Sequence, residues 1–141
     1  EQFQNNKWYS LSTPILSHMS NANLVGYQNG IVALLSRSTT TSSYQILNGK
    51  LSILGDFGEN EIINRNSLIN FNNTLKYFYV DNTSQDICEK IWDGKYWEKS
   101  ILFTSNYLNK YGTILAISDG LKFGYFVLYK EGTYNIYKIQ Q

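Results

Sequence analysis

Residues 68–102 hold four short runs of β-branched and aromatic residues separated by turn residues. An apolar run at 68–71 meets the polar break Asn72-Asn73, and Leu75-Lys76-Tyr77-Phe78-Tyr79-Val80 follows. The cluster Asp81-Asn82-Thr83-Ser84 leads into Ile87-Cys88-Glu89-Lys90-Ile91-Trp92, and Asp93-Gly94 leads into Lys95-Tyr96-Trp97-Glu98 and Ser100-Ile101-Leu102. Such residues suit a pleated, half-buried surface, and Asp-Gly supplies the positive φ angles of a tight two-residue hairpin. The stretch therefore predicts a four-stranded antiparallel meander with a two-residue turn at Asp93-Gly94.

The meander repeats. Leu24-Val25-Gly26-Tyr27-Gln28-Asn29-Gly30 and residues 31–35 match Leu68-Ile69-Asn70-Phe71-Asn72-Asn73-Thr74 and residues 75–79; Leu115-Ala116-Ile117-Ser118-Asp119-Gly120, followed by Leu121-Lys122-Phe123, matches both. The spacings, 44 residues from Leu24 to Leu68 and 47 from Leu68 to Leu115, fall in the roughly 40–50 residues of a four-stranded propeller blade. In the first unit Tyr44-Gln45-Ile46-Leu47, Asn48-Gly49 and residues 50–54 stand where the second has residues 87–92, Asp93-Gly94 and residues 95–102. Residues 55–66 read as a connecting loop, with Asp56, Glu59 and Glu61 on its solvated surface.

In the third unit residues 121–128 and 134–139 supply middle strands, and the sequence ends where the second unit still has Trp92 to Trp97. Residues 5–16, containing Trp8 and Tyr9, resemble the missing piece, and Pro14 suits an edge strand. The expected fold is all-β: a single β-propeller module over residues 1–141, with a closing outer strand in 1–17 and four-stranded blades over 22–60, 66–108 and 112–141. Propellers normally begin at four blades, so closure calls for a homodimer of six blades, the segment near Trp8 completing the blade that ends at Ile139 of a second copy. Such a head-to-tail contact must close or it propagates. The competing arrangement is a neighbouring propeller segment in a longer chain.

Twelve Lys and Arg against eleven Asp and Glu, with no run of one sign, give no basis for a nucleic-acid surface. A single cysteine, Cys88, excludes an internal disulfide framework and a Cys-based zinc site; it reads as a small core residue. No apolar run approaches the roughly 20 residues of a membrane span. The chain begins at Glu1 rather than Met, so either a leader has been removed or the chain is a fragment; a secreted or cell-surface setting is favoured. Two sequons, at Asn72 and Asn82, are what chance supplies in a chain this rich in Asn. That richness, with Lys, Ile and Tyr, suggests an AT-rich, bacterial genome.

The second unit, with Leu75-Lys76-Tyr77-Phe78-Tyr79, Ile87-Cys88-Glu89, Trp92-Asp93-Gly94 and Trp97, resembles the repeat of the six-bladed fucose-binding propeller lectins and, more loosely, other bacterial and tectonin-type propeller repeats. In that family an inner-strand Arg, a Glu on the next strand and an aromatic from a neighbouring blade bind the sugar. The resemblance implies that Glu89 matches the Glu and that Lys76 stands where the Arg would be, without its planar fork. The first unit has Val32 and Gln45 or Ile46 in this region, and the third has Lys122 with Tyr137 near the Glu position. A pyranose also needs flat apolar surface beside its polar partners. Trp8, Tyr9, Trp92, Tyr96 and Trp97 lie next to hairpin turns where they could supply it. Trp8 and Trp97 are expected to pack between blades, and Trp92 to be the partly exposed one.

Hydrolysis would need two carboxylates facing one bond, and the spacing of Asp86, Glu89, Glu98 and Asp119 singles out no pair. Ser118-Asp119-Gly120 resembles part of the aspartate box of sialidase-like propellers without the rest, and Asp-Gly is a turn signal. The lone histidine, His18, has no second His with which to hold a metal, and no phosphate loop or cofactor motif occurs. The expectation is non-enzymatic carbohydrate binding between blades, with a glycan ligand. The alternative is a structural or protein-interaction propeller within a larger surface or toxin-associated protein, and a glycosidase has the least support.

Overall fold

The structure, a computed structural model, describes residues 2–4, 7–9, 21–37, 40–55, 57, 61–81, 83–104, 113–130 and 132–139. Two short strands, β1 (Gln2–Gln4) and β2 (Lys7–Tyr9), pair with each other. The first sheet comprises β3 (Asn21–Tyr27), β4 (Gly30–Arg37), β5 (Thr40–Leu47) and β6 (Lys50–Gly55). The second holds β7 (Glu61–Phe71), β8 (Thr74–Asp81), β9 (Ile87–Trp92) and β10 (Trp97–Phe103). The third holds β11 (Thr113–Ser118), β12 (Gly124–Lys130) and β13 (Thr133–Lys138). All three are antiparallel meanders whose neighbours follow chain order, and they do not close on one another.

Turn chemistry explains most of the hairpins. Asn48-Gly49 joins Leu47 to Lys50 with both φ angles positive, 51° and 74°, the type I′ geometry that matches strand twist. Gln28-Asn29 and Asn72-Asn73 make the same turn; asparagine tolerates the left-handed region because its short amide bonds locally. Asp93-Gly94 departs from the expectation. The β9–β10 connection has four residues, Asp93 to Tyr96, with Trp92 opposite Trp97, so Lys95 and Tyr96 belong to the loop. The Asp93 carboxylate accepts the amides of Lys95 and Tyr96, each at 2.6 Å, which makes the wider loop self-supporting.

Asp119 does the same between β11 and β12. Its Oδ1 accepts the amides of Leu121, Lys122 and Phe123, each at 2.9 Å. Residues 121–123, read from sequence as the start of a strand, are therefore an exposed loop. The span 55–66 differs in the opposite sense, because β7 starts at Glu61 and carries an irregularity in register before Asn66. Its polar residues hid the β-branched Ile62-Ile63 at its start. Asp56, Glu59, Pro14 and His18 lie outside the described residues. Lys7–Tyr9, expected to extend a third sheet, pairs in this chain with Gln2–Gln4.

The second sheet lies between the other two. On β8 alternate side chains face opposite ways: Leu75, Tyr77 and Tyr79 join Val32 and Leu34 of the first sheet, while Phe78 and Val80 join Ile114, Phe126 and Leu128 of the third. Burial runs along the whole strand as a result, at about 1.5–3 kcal/mol for each large apolar side chain removed from water. Cys88 is wholly buried at the first of these seams, a small core residue as its position suggests.

The first strands of the three sheets meet. Asn21 and Asn23 donate to Asn66 Oδ1 at 3.1 and 2.7 Å, and Asn70 Nδ2 donates to the Gly26 carbonyl at 3.0 Å. The Ser67 hydroxyl accepts from Ala116 N and donates to Ala116 O, and Asn72 N donates to Gly120 O. The facing of side chains also corrects one alignment. Leu68 faces the preceding sheet, and in the third sheet that role belongs to Ile114, not Leu115. A one-residue slip exchanges the two faces of a strand.

Candidate functional site

Strand alternation sets the site. Glu89 lies opposite Phe78 and Lys76 opposite Ile91 in the β8–β9 ladder, so Lys76 and Glu89 are diagonal neighbours on the face turned toward the third sheet. Both residues are buried, and the Lys76 ammonium donates to Glu89 Oε1 at 3.0 Å. Burial demands such a partner, since an isolated charge in this setting would be far costlier than a paired one. The pair borders a cleft of about 250 Å³ lined also by Phe78, Leu102, Phe126, Lys138 and Ile139. Phe126 supplies a stacked wall, its ring 5.2 Å from Phe78 and 4.9 Å from Tyr137.

The opposite seam, between the first and second sheets, is filled. Cys88, Lys90 and Trp92 alternate with Ile87, Glu89 and Ile91 on β9, so they face the first sheet. Trp92 is 7% exposed, contrary to the expectation that it would be partly open; a Cβ on Gly55 would come within 3.0 Å of its ring. Trp97 is half-buried beside it and donates its indole N–H to Ser43 Oγ at 3.1 Å. Phe57 packs edge-on against Tyr77 and Trp97 at 4.9 and 5.0 Å. Lys90 reaches across the seam to donate to the Phe57 carbonyl, its ammonium 4.2 Å from the centre of the Phe57 ring.

Of the residues singled out by sequence, the structure brings together Lys76 and Glu89. Trp92 and Trp97 occupy the other face of the same sheet, and Tyr96 is exposed at the β9–β10 loop, with Lys95 above its ring. Trp8 lies on β2, its side chain outside the described residues. Register also revises the counterparts of Glu89. Ser43, opposite Leu34, takes its place in the first sheet rather than Gln45 or Ile46. In the third, with Ile114 in the place of Leu68, it is Tyr134, opposite Tyr129, while Lys122 is in a loop and Tyr137 faces inward. Phe57 and Lys90 were not anticipated. Phe57 sits in a segment read as loop, but Lys90 could have been found from its two-residue spacing to Trp92.

Several other ionisable groups are tied into local structure. Burial tends to raise the Asp81 carboxyl, yet the Lys99 ammonium at 2.6 Å and the amides of Ser84 and Thr83 outweigh it and hold it below its ordinary value. The amides of Phe123 and Leu121 lower Asp119, and those of Tyr96 and Lys95 lower Asp93. Burial raises the Cys88 thiol, which keeps it from acting as a thiolate. Among the described residues no group of three or more His, Cys, Asp or Glu side chains is placed to hold a metal ion, and no helix is long and apolar enough to cross a membrane. Comparison with protein-family models, curated proteins and solved structures finds no match for this chain.

Proposed function

We propose that the three sheets are consecutive propeller blades and that the cleft between the second and third binds one sugar residue of a glycan without turning it over. The observation that carries this reading is the buried Lys76–Glu89 pair on the wall of an inter-sheet cleft. Sugar hydroxyls exchange their water hydrogen bonds only for donors and acceptors already held in place. A carboxylate offers roughly four acceptor positions, and Lys76 fixes the orientation of Glu89 through one oxygen. Phe78 and Phe126 add apolar surface for the C–H face of a ring.

The cleft lies just below the roughly 300–1,000 Å³ of ordinary small-molecule pockets, which fits a single terminal residue better than an extended oligosaccharide. Lysine in place of a forked guanidinium gives one point donor rather than a bidentate clamp, so recognition of several related sugars is expected. Glycoside hydrolysis would need a second carboxylate across the bond. Glu89 is the one carboxylate among the described residues lining the cleft.

The test is glycan-array binding followed by titration calorimetry, with circular dichroism confirming the fold of each variant. Glu89→Gln and Lys76→Gln should each weaken binding at least about tenfold, the effect of losing one charge-assisted hydrogen bond, while Tyr96→Ala leaves it unchanged. Failure of the folded wild type to bind any glycan, or equal binding by Glu89→Gln, would overturn the proposal. So would release of sugar from a chromogenic glycoside.

A further inference from the structure

Each sheet has a backward face, turned toward the sheet before it, and a forward face, turned toward the sheet after it. Both seams join a forward face to a backward face. The first is made by Val32 and Leu34 of the first sheet against Leu68, Tyr77 and Tyr79 of the second; the other by Ile69, Phe78 and Val80 against Ile114, Phe126 and Leu128. The chain therefore leaves one backward face, on the first sheet, and one forward face, on the third, without a neighbouring sheet among the described residues.

Both uncovered faces have the composition of an interior. Leu24 is the counterpart of Leu68 at the 44-residue spacing, and it is 63% exposed where Leu68 is 7% exposed. Ile31, counterpart of the wholly buried Leu75, is 42% exposed, and Ile53, on the same face of the outer strand β6, 76%. On the forward face of the third sheet Leu115, Ile117, Tyr134 and Ile136 are 56–70% exposed. Apolar patches of this kind on both ends of a stack mark contact surfaces.

Side-chain volume says what fits. At the first seam the large Tyr77 and Tyr79 of a backward face lie over a forward face that carries Ser36, Thr41 and Ser43 beside its Val and Leu. On the uncovered backward face Ala33 stands where the second sheet has Tyr77, with Ala22 and Gly26 on the same side, and Tyr44 is its one tyrosine. The uncovered forward face instead carries Tyr125, Tyr129 and Tyr134. The forward face thus holds three tyrosines against one on the backward face, where Ala22, Gly26 and Ala33 leave low ground between larger apolar side chains, so the two faces differ in relief as the two sides of the internal seam do.

We infer that a second copy of this chain covers these faces, the third sheet of each copy seated by its forward face on the backward face of the first sheet of the other. Two such seams relate the copies by a twofold axis and use up both faces at once, so the assembly closes at two chains and six sheets. The inference rests on the blade arrangement proposed above and does not depend on the glycan.

Solution mass by light scattering tests it without any ligand. The wild type should have about twice the 16.3 kDa of one chain, and Ile53→Asp and Ile136→Asp should each give monomers with unchanged far-ultraviolet dichroism. Mixing those two variants in equal amounts should give more dimer than either alone, because the intact forward face of Ile53→Asp meets the intact backward face of Ile136→Asp at one of the two seams, the other carrying both aspartates. A wild type that remains monomeric at micromolar concentration overturns the inference, whatever else covers the faces. A dimer that both substitutions leave intact overturns it as well. Should an aspartate variant misfold, Leu24→Ser with Leu115→Ser provides the same reading with a smaller perturbation. Glycan binding by the monomers, read separately, keeps failure here distinct from failure of the sugar proposal.

Discussion

The two seams flanking the second sheet are built from one pattern and end differently. Toward the first sheet, Phe57 enters from the β6–β7 connection and closes the space between Tyr77, Trp97 and Lys90 with aromatic edges and a carbonyl. Toward the third, the corresponding strands carry Lys76 and Glu89, and about 250 Å³ stays open. Two residues of opposite charge on alternate positions of β8 and β9 set a buried ion pair on the wall of an open cleft at one face of a doubly buried sheet, while the other face remains a core. Position in the fold is shared by both seams; chemistry distinguishes them.

The largest effect should come from the filled seam. Trp92→Ala removes a buried indole and should lower the unfolding free energy by about 3–5 kcal/mol, measured by urea titration. Affinity for a glycan per folded molecule should stay the same. A loss below about 1 kcal/mol would show that the first seam is not a packed core, and a parallel loss of sugar binding would erase the division between the seams.

The open seam should respond to charge balance. Glu89→Leu leaves the Lys76 ammonium without its carboxylate and should cost about 3 kcal/mol, the low end for a broken buried pair because a cleft adjoins it. The double variant Lys76→Met with Glu89→Leu should return to within about 1 kcal/mol of the wild type and still fail to bind sugar. A double variant as unstable as the single one would mean that the pair contributes to folding and is not held for recognition.

The smallest effect concerns the two loops capped by aspartate. Asp93 and Asp119 have folded-state pKa values below their ordinary 3.8, so their caps contribute fully above that value and are lost as pH falls through the lower one. Wild-type stability should therefore drop more steeply below about pH 3.8 than that of the double variant Asp93→Asn with Asp119→Asn. Equal slopes would remove these caps from the acid response, leaving Asp81 with Lys99 as its source.

The sequence carried the strand pattern well because period-two alternation and asparagine turns are local signals. Residues 68–102 and the 44-residue repeat led directly to two four-stranded meanders. What it did not carry was the facing of the third unit. The two-residue turn Asn72-Asn73 and the longer loop held by Asp119 differ in length, so matching the runs of letters put Leu115 in the place of Ile114. The pairing of Lys76 with Glu89 was legible from position, since both fall on the same face of adjoining strands. Trp92 was misjudged because proximity to a turn was taken as exposure. Its strand also places it opposite Trp97, and a cross-strand aromatic pair belongs to the packed side of a sheet.

Cys88 gives the filled seam a further property. Its sulfur is wholly enclosed in the cluster that holds Tyr77, Tyr79 and Trp92, and its thiol is kept protonated by that enclosure. Oxidants and alkylating reagents act on exposed thiolates, so covalent change at this position waits on separation of the first and second sheets. The chain thus carries a chemical clock for local opening, and the rate at which its one thiol disappears measures how often that seam breathes.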